Sequence, residues 1–238
     1  MARSLGKRKA TNSGEGAAAS RASSRWAGRL GALLIIAGLG ILGYVGWQMW
    51  GTTYVAQREQ ADVVSQVEER WADPDTAAEP VKSKGALVSA LIRIPKFGKD
   101  YAVPMLEGTT DEVLTGGYGR FLEGARVGEL GNFALAAHRI THGEPLRRMP
   151  ELVAGDKVIV ETPKAIYTYV LDTGGDDLTV DFTAGWVLED LPRNPKGGVQ
   201  PAQEPGQRLI TLTTCAELFH TDDRLIAFGH LESKERRS

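Results

Sequence analysis

The chain has 238 residues and a formal net charge of −2, with 28 basic and 30 acidic side chains. Seven basic residues and one acidic residue fall within positions 1–30, which leaves 21 basic and 29 acidic residues beyond them. An acidic body lacks the basic surface that nucleic-acid binding requires, so we expect no nucleic-acid partner. The single cysteine excludes an internal disulfide framework.

The first 29 residues form a basic segment rich in Ser, Ala, Gly and Lys. Such a composition offers too little apolar surface for a core, so we expect residues 1–29 to be disordered. Arg21, Arg25 and Arg29 directly precede an apolar stretch. By the positive-inside rule, this segment is then cytoplasmic.

An uncharged apolar stretch runs from Leu30 to Trp50. As a helix it would be about 31 Å long, the thickness of a bilayer core. Trp26 stands near one end and Trp47 near the other, as in an aromatic belt. We predict a retained transmembrane helix at residues 30–50, with the rest of the chain outside the cell. A cleaved signal peptide is the alternative, which the length of the run and the lack of a small-x-small cleavage site disfavour.

Residues 51–85 are predicted to form an extracellular stalk. Tyr54–Trp71 is polar and charged with a few valines, and we interpret it as a solvated helical spacer. Asp73–Lys84 contains two prolines, several alanines and alternating charges, which is typical of a linker. We expect one folded domain at residues 86–233.

Short β-like runs separated by turn residues fill this domain. Their regular spacing and the scarcity of helical patterns predict an all-β barrel or sandwich. Strands are expected at residues 87–94, 101–106, 132–138, 157–162, 166–172, 208–215 and 224–231, with weaker ones at 178–182 and 186–188.

Some positions in the domain carry finer local signals. Pro104 lacks an amide hydrogen and suits an edge or a bulge. Residues 110–114 are typical of one helical turn capped by Thr110, and residues 144–152 predict a short helix. The Pro- and Gly-rich residues 194–207 predict a mobile loop just before the last two strands.

Three reactive side chains stand at the ends of predicted strands. Cys215 closes the run 208–215, Arg224 opens the next run, and His138 closes the run 132–138. A lone cysteine with a distant histidine is a candidate nucleophile with its proton partner. The alternative is that Cys215 is an inert buried thiol, since free cysteines are among the most buried residues.

The segment Thr211-Leu212-Thr213-Thr214-Cys215, with Arg224 after it and His138 before it, resembles the sortase signature. The segment Gly131–Arg139, followed by Thr141, Gly143 and Pro145, looks most like class E sortases of actinobacteria, the high-GC Gram-positive bacteria. The resemblance covers about residues 86–232. It implies an eight-stranded β-barrel with short connecting helices, here preceded by the transmembrane helix.

The sortase resemblance also implies a reaction. Cys215 would attack the carbonyl of a Thr–Gly bond in a sorting signal and form a thioacyl enzyme. His138 would protonate the leaving amine and later deprotonate the incoming one. Arg224 would hold the substrate and stabilise the oxyanion. Thr213 and Thr214 would flank the substrate groove, although both are also ordinary strand formers.

The implied partners are secreted proteins with a carboxy-terminal sorting signal and an amine of a peptidoglycan precursor or a pilin. Class E resemblance implies a preference for Leu-Ala-x-Thr-Gly over Leu-Pro-x-Thr-Gly. No cofactor is implied. A zinc pair at His138 and His142 is disfavoured, because residues 140–145 are poor helix formers and the HExxH glutamate is absent.

The chain departs from the class E pattern around the expected groove. Ala216-Glu217 stands where His-Pro is common, and His142 where Tyr is common. His220 is expected to be exposed, and His230 to be structural. These departures bear on substrate preference rather than on the reaction.

Two other functions stay open from the residues. One is a non-catalytic extracellular binding domain on a membrane stalk, in which Cys215 is buried. The other is a cysteine hydrolase, which would release free acid even when an amine acceptor is present.

Overall fold

A computed structural model describes residues 16–47, 51–73, 75–215 and 222–237, with the side chains of 16–28 and 215 excepted. The chain divides into two compact units, Met1–Gln48 and Met49–Ser238. The first unit contains a single described helix. The second contains all of the described strands and the expected reactive residues.

The first unit is the helix α1, Gly16–Gly46. Its segment Arg29–Gly46 is long and apolar enough to cross a membrane, and none of its residues is buried within the structure. Residues 16–29, expected to be disordered, are helical instead. Alanines favour the helix, and extending an existing helix avoids the cost of nucleation. Residues 1–15 and 48–50 lie outside the described part of the chain.

The second unit is built around a closed barrel of eight strands, which confirms the predicted fold. The barrel order is β2-β3-β4-β5-β9-β10-β7-β6, and β6 pairs with β2 to close it. Of the two other strands, β1 pairs with β2 and β8 with β10. The strands are β1 Val81–Ser83, β2 Ala86–Arg93, β3 Val103–Glu107, β4 Tyr118–Arg120, β5 Gly131–Ala136, β6 Lys157–Glu161, β7 Ala165–Leu171, β8 Leu178–Asp181, β9 Arg208–Cys215 and β10 Asp223–Arg236.

The barrel interior holds the main apolar core. Inward-facing residues alternate along the strands, and the rings of Phe133 and Tyr169 stack at 6.0 Å between centroids. Each fully buried aliphatic or aromatic side chain contributes about 2 kcal/mol through removal of apolar surface from water. The largest of them in this core are Tyr118, Tyr169, Phe133, Ile92, Ile94 and Met105.

The connections contain less helix than expected. The short helix α3, Asp111–Thr115, forms as predicted, and the Thr110 hydroxyl accepts from the Val113 amide at 3.4 Å. The helix predicted at 144–152 is wrong, because only a 3-10 turn forms at Met149–Glu151. Glu144 has a φ of +53°, which no right-handed helix accommodates. The weak strand expected at 186–188 is also a 3-10 turn, Gly185–Leu188.

Pro104 lies within the barrel wall rather than at its edge. It pairs with Leu91 of β2, but the parallel pairing of β3 with β4 begins only at Met105. At Pro104 the strand therefore has a hydrogen-bonded neighbour on one side only. Because no strand pairs with β3 on the other side at this position, a residue that has no amide hydrogen to donate is tolerated here.

The helix α2, Thr52–Ala72, packs against the barrel, so the prediction of a solvated spacer is wrong. Val64, Val67 and Trp71 are buried in a second apolar cluster with residues of β2, β3 and α3. Their spacing of three and four residues places them on one helix face. Glu68 adds an ion pair with Arg93 of β2. The few valines of this segment are enough to pack the helix against the barrel, because they lie together on one helix face.

Substitution Val67→Ala should destabilise the second unit by about 2 kcal/mol, since Val67 is fully buried and its loss leaves a cavity. Thermal unfolding followed by circular dichroism measures the effect. Val55→Ala is the matched control, because Val55 lies on the same helix and is 43% exposed. Equal unfolding temperatures for the two variants would contradict the packing of α2.

Candidate active site

The end of strand β9 lies between two neighbours of opposite direction. Strand β5 runs parallel to β9 and pairs Ala136 with Thr213, and the Ala137 amide donates to the Thr213 carbonyl at 3.2 Å. Strand β10 is antiparallel to β9 and pairs Arg224 with Cys215. His138 follows Ala136 by two residues, as Cys215 follows Thr213.

This register brings the backbones of His138, Cys215 and Arg224 to one edge of three adjacent strands. Neighbouring strands lie about 5 Å apart, so the backbones of Cys215 and Arg224, which pair directly, lie at about that distance. The β5–β9 pairing ends at Ala136 and Thr213, so His138 and Cys215 each follow the last paired residue of their strand by two positions. The Cys215 side chain lies outside the described residues.

A cleft of about 350 Å³ opens at this edge. His138, Arg224 and both threonines that precede Cys215 contribute to its lining. Apolar side chains from four segments line much of the remainder. They are Leu114, Phe121, Val180, Phe182, Val187, Leu188 and Ile226.

His138 is half-buried and neutral at neutral pH. The pKa of His138 is lowered to about 4, chiefly by burial and additionally by the neighbouring His142, while Asp111 opposes the shift. Its Nε2 atom is buried and has no hydrogen-bond partner within the described residues. A buried orphan nitrogen is costly, so a group outside these residues or a substrate atom is its expected partner.

His142 contacts His138 ring to ring, with centroids 4.9 Å apart. Desolvation lowers the pKa of His142, Lys84 lowers it further, and Asp111 raises it. His142 has a φ of +51° and Glu144 a φ of +53°, with Gly143 at +86° between them. This turn folds the second histidine back onto the first. Residues four apart in sequence are expected to be neighbours only in a helix, and this segment is not helical. The His138–His142 contact was therefore not predictable from the sequence.

Thr214 links the cysteine strand to the histidine strand. Its hydroxyl donates to the Ala137 carbonyl at 2.7 Å, and the side chain is 3% exposed. Thr213 is also buried and lines the cleft. Thr214 precedes Cys215 and Ala137 precedes His138, so this bond links the two segments that carry these residues.

Asn132 supports the cleft from behind and was missed by the sequence reasoning. Its side chain is fully buried, donates to the Val187 carbonyl at 3.0 Å and accepts from the Thr211 hydroxyl at 2.8 Å. These bonds connect β5, β9 and the turn that forms one cleft wall. An asparagine within an apolar strand was the available signal, because buried amides require partners.

Arg224 reaches the cleft from β10. One guanidinium nitrogen donates to the Asp223 carbonyl at 3.0 Å, and the side chain lines the cavity. Hydrogen bonds from the Thr183 side chain and amide lower the pKa of Asp181, and the positive charge of Arg224 adds to this. The carboxylate of Asp181 therefore stays charged near Arg224.

Of the remaining histidines, only His230 is described, and it does not line the cleft. His230 is exposed and pairs its Nδ1 with Asp172 Oδ1 at 2.7 Å, while His220 and Ala216-Glu217 lie outside the described residues. Within the described ranges, no group of three or more His, Cys, Asp and Glu side chains is placed to hold a metal ion. His138 and His142 by themselves fall short of the three ligands of a catalytic zinc.

Burial of His138 predicts a specific loss of stability in acid. The folded-state pKa lies below that of the unfolded chain, so stability is full above about pH 6.5 and falls as pH drops toward 4. After allowance for partial exposure, the loss is about 2 kcal/mol. His138→Gln should unfold with a weaker pH dependence in this window, measured by urea titration at pH 7 and pH 4.5. The control is His230→Gln. If the unfolding free energy of the two variants changes equally between pH 7 and pH 4.5, His138 is not the source of the acid-dependent loss.

Comparison with known proteins agrees with this architecture. The family profile described as Sortase domain matches residues 92–232. The chain is 32% identical to Sortase SrtE1 of Streptomyces coelicolor over 219 residues, which are 88% of this chain but 58% of that protein.

Two solved structures show the same fold at appreciable identity. Sortase E from Streptomyces avermitilis is 36% identical with a TM-score of 0.55, over 66% of this chain and 93% of that one. Sortase E1 from Streptomyces coelicolor, solved with a tripeptide in its active site, is 32% identical with a TM-score of 0.54, over 66% and 94%. The chain belongs to the sortase family and is class E-like.

Proposed function

We propose that this protein is a membrane-anchored cysteine transpeptidase that cleaves a Thr–Gly bond in a sorting signal and transfers the acyl group to an amine. The observation that carries the proposal is the common level of His138, Cys215 and Arg224 at the ends of adjacent strands, beside a cleft. A nucleophile, a proton carrier and a fixed cation at one edge are the groups that acyl transfer requires.

In the first half-reaction, the thiolate of Cys215 attacks the threonine carbonyl carbon. The resulting tetrahedral oxyanion collapses, the carbon–nitrogen bond breaks, and the glycine amine leaves with a proton from His138. A thioester then joins the substrate to Cys215. In the second half-reaction an amine attacks the thioester, His138 accepts its proton, and the thiolate leaves.

His138 needs a proton for the first step, although its pKa is lowered to about 4. A thiolate at Cys215 would raise the pKa of the imidazole, because an opposite charge nearby favours the protonated form. The imidazolium would in turn lower the pKa of the thiol. The charged pair is therefore expected to form together, as a minor population that substrate binding favours.

Arg224 is proposed to stabilise the oxyanion and to hold the substrate backbone. Its guanidinium remains charged at any physiological pH and offers several directed donors. Pairing with Cys215 across the β9–β10 ladder keeps its backbone fixed beside the reacting carbon. Thr213 and Thr214 are proposed to contact substrate along the same strand.

The signal is proposed to be of the Leu-Ala-x-Thr-Gly or Leu-Pro-x-Thr-Gly type. The apolar wall of the cleft suits the leucine and the small residue of such a peptide. We propose Leu-Ala-x-Thr-Gly as the preferred form, by resemblance to class E sortases. The amine acceptor is proposed to belong to a cell-wall peptidoglycan precursor or to a pilin.

The proposed location is the cell membrane, with the catalytic domain outside. Arg29–Gly46 has the length and hydropathy of a membrane span. The arginines that precede it place the amino terminus in the cytoplasm by the positive-inside rule. The boundary of the catalytic domain at 86–233 stays a prediction, but α2 should be retained in any fragment, because its removal would expose the apolar cluster beneath it.

Peptide turnover by the full chain in detergent tests the proposal. Each of the two peptides is incubated with triglycine as acceptor, and products are read by mass spectrometry. A product joined after threonine is expected with wild type and not with Cys215→Ala. Free acid as the main product would favour a cysteine hydrolase. No cleavage, with a thiol that resists alkylation, would favour the binding domain.

Arg224→Lys should lower kcat/KM about a hundredfold, since a point charge replaces several directed donors in the transition state. The same mass-spectrometric assay, run as a time course, measures the loss. Arg208→Lys is the matched control, because Arg208 lies at the opposite end of β9 and donates to the Gly128 carbonyl at 3.0 Å. Near-normal turnover by Arg224→Lys would contradict the oxyanion role.

A further inference from the structure

The turn that presents His142 to His138 is an unfavourable backbone conformation. His142 and Glu144 both occupy the left-handed region, which costs about 1 kcal/mol for each non-glycine residue. Such a turn persists only when its surroundings hold it. Within the loop itself, the Leu146 amide donates to the His138 carbonyl at 3.1 Å and the Glu144 amide to the Thr141 carbonyl at 3.0 Å.

Helix α2 supplies the bonds that hold the other side of this turn. Gln60 Nε2 donates to the His142 carbonyl at 3.0 Å, and Gln57 Nε2 donates to the Gly143 carbonyl at 3.2 Å. A β-carbon added at Gly143 would lie 2.6 Å from Gln60 Oε1, so the carboxamide packs directly on the turn. Gln57 and Gln60 themselves lie outside the family motif.

Gln60 also binds the end of α3. Its Nε2 donates to the Thr115 carbonyl at 3.2 Å, and the residue is only 5% exposed. A carboxamide nitrogen has two hydrogens, so both carbonyls can be satisfied at once. Helix α3 carries Asp111, whose negative charge acts on both histidines. One buried side chain thus joins the two elements that place His142 and Asp111 beside His138.

We propose that Gln60 is a positioning residue that fixes the turn 142–144 against the end of α3 and so sets the environment of His138. The inference rests on the proposed role of His138 in proton transfer. Gln60 contacts neither substrate nor the reacting atoms, and acts through the loop that follows β5. Through Gln60, helix α2 therefore contributes a positioning side chain to the histidine turn, while the buried apolar stripe that contains Val67 serves only packing.

The titratable and charged groups around His138 come from several elements. His142 on its own loop and Asp111 on α3 act on it directly. Arg224 lines the same cleft from β10, the backbone of Cys215 ends β9, and Lys84, which acts on His142, is paired with Glu59 of α2. Loss of the Gln60 bonds would let the turn relax away from His138. His138 would then be more solvated and farther from His142. Both changes raise the pKa of His138, because burial and His142 are the two causes that lower it.

The kinetic test compares Gln60→Leu with Val67→Ala in the full chain in detergent. Both substitutions weaken the packing of α2, but only the first removes the loop bonds. Gln60→Leu should lower kcat about tenfold with little change in KM, because misplacement of a reacting group acts on the chemical step. At a temperature where both are folded, Val67→Ala should keep wild-type kcat. Equal kcat values for the two variants would overturn the proposal.

Histidine titration provides a readout that does not need turnover. The chain has only four histidines, so isotope-labelled imidazoles can be followed by NMR and assigned with single His→Gln variants. In Gln60→Leu the pKa of His138 should rise from about 4 toward 6.5, whereas Val67→Ala should leave it in place. An unchanged His138 titration in Gln60→Leu would overturn the proposal even if the kinetics differ.

A milder variant tests the proposal even if Gln60→Leu does not fold. Gln57 is exposed, so Gln57→Ala removes only the bond to the Gly143 carbonyl and should change kcat and the His138 titration in the same direction by a smaller factor. No effect of Gln57→Ala, with Gln60→Leu unfolded, would count against the proposal. If wild type turns over neither peptide, the proposed function fails, while the titration still decides the role of Gln60.

Discussion

The pairing of β9 with a parallel strand on one side and an antiparallel strand on the other is the constraint on which the site depends. A parallel neighbour ends at the same edge, so the residue after β5 arrives level with the end of β9. An antiparallel neighbour begins where β9 ends, so the start of β10 arrives at that edge too. Closure of the barrel fixes all three strands, because no edge is free to slip.

Buried polar side chains then hold the strand ends and loops in place. Thr214 ties β9 to Ala137, Asn132 ties β5 to the wall of the cleft, and Gln60 ties the histidine turn to α3. Each bond contributes only about 1 kcal/mol in net terms, but loss of one partner leaves a buried group unsatisfied at a greater cost. The polar network therefore specifies one geometry for the cleft more than it adds stability.

The low pKa of His138 follows from the same construction. Folding the turn 142–144 over the strand end removes water from the ring and brings a second imidazole against it. Both effects disfavour the imidazolium. In the proposed reaction, a neutral His138 would gain its proton only as negative charge arrives, either as a thiolate or as the developing oxyanion. Desolvation would then restrict proton transfer to the state in which that charge is present.

Much of this protein was predictable from local sequence. Strand periodicity and turn residues predicted seven of the eight barrel strands but not β4, and the Thr110 cap predicted α3, because these signals act over short distances. The grouping of Cys215, His138 and Arg224 came from their positions at strand ends and from a family resemblance, and the comparisons confirm the family as sortase.

The contacts between distant segments were not predictable in this way. The buried stripe of α2 has too few apolar residues to distinguish it from a solvated helix until β2 and β3 provide its partner. The His138–His142 contact depends on a left-handed turn that helix α2 stabilises across more than 80 residues of sequence. Such features arise from packing and hydrogen bonds between elements, and a single sequence records which residues are present but not which of them the fold brings together.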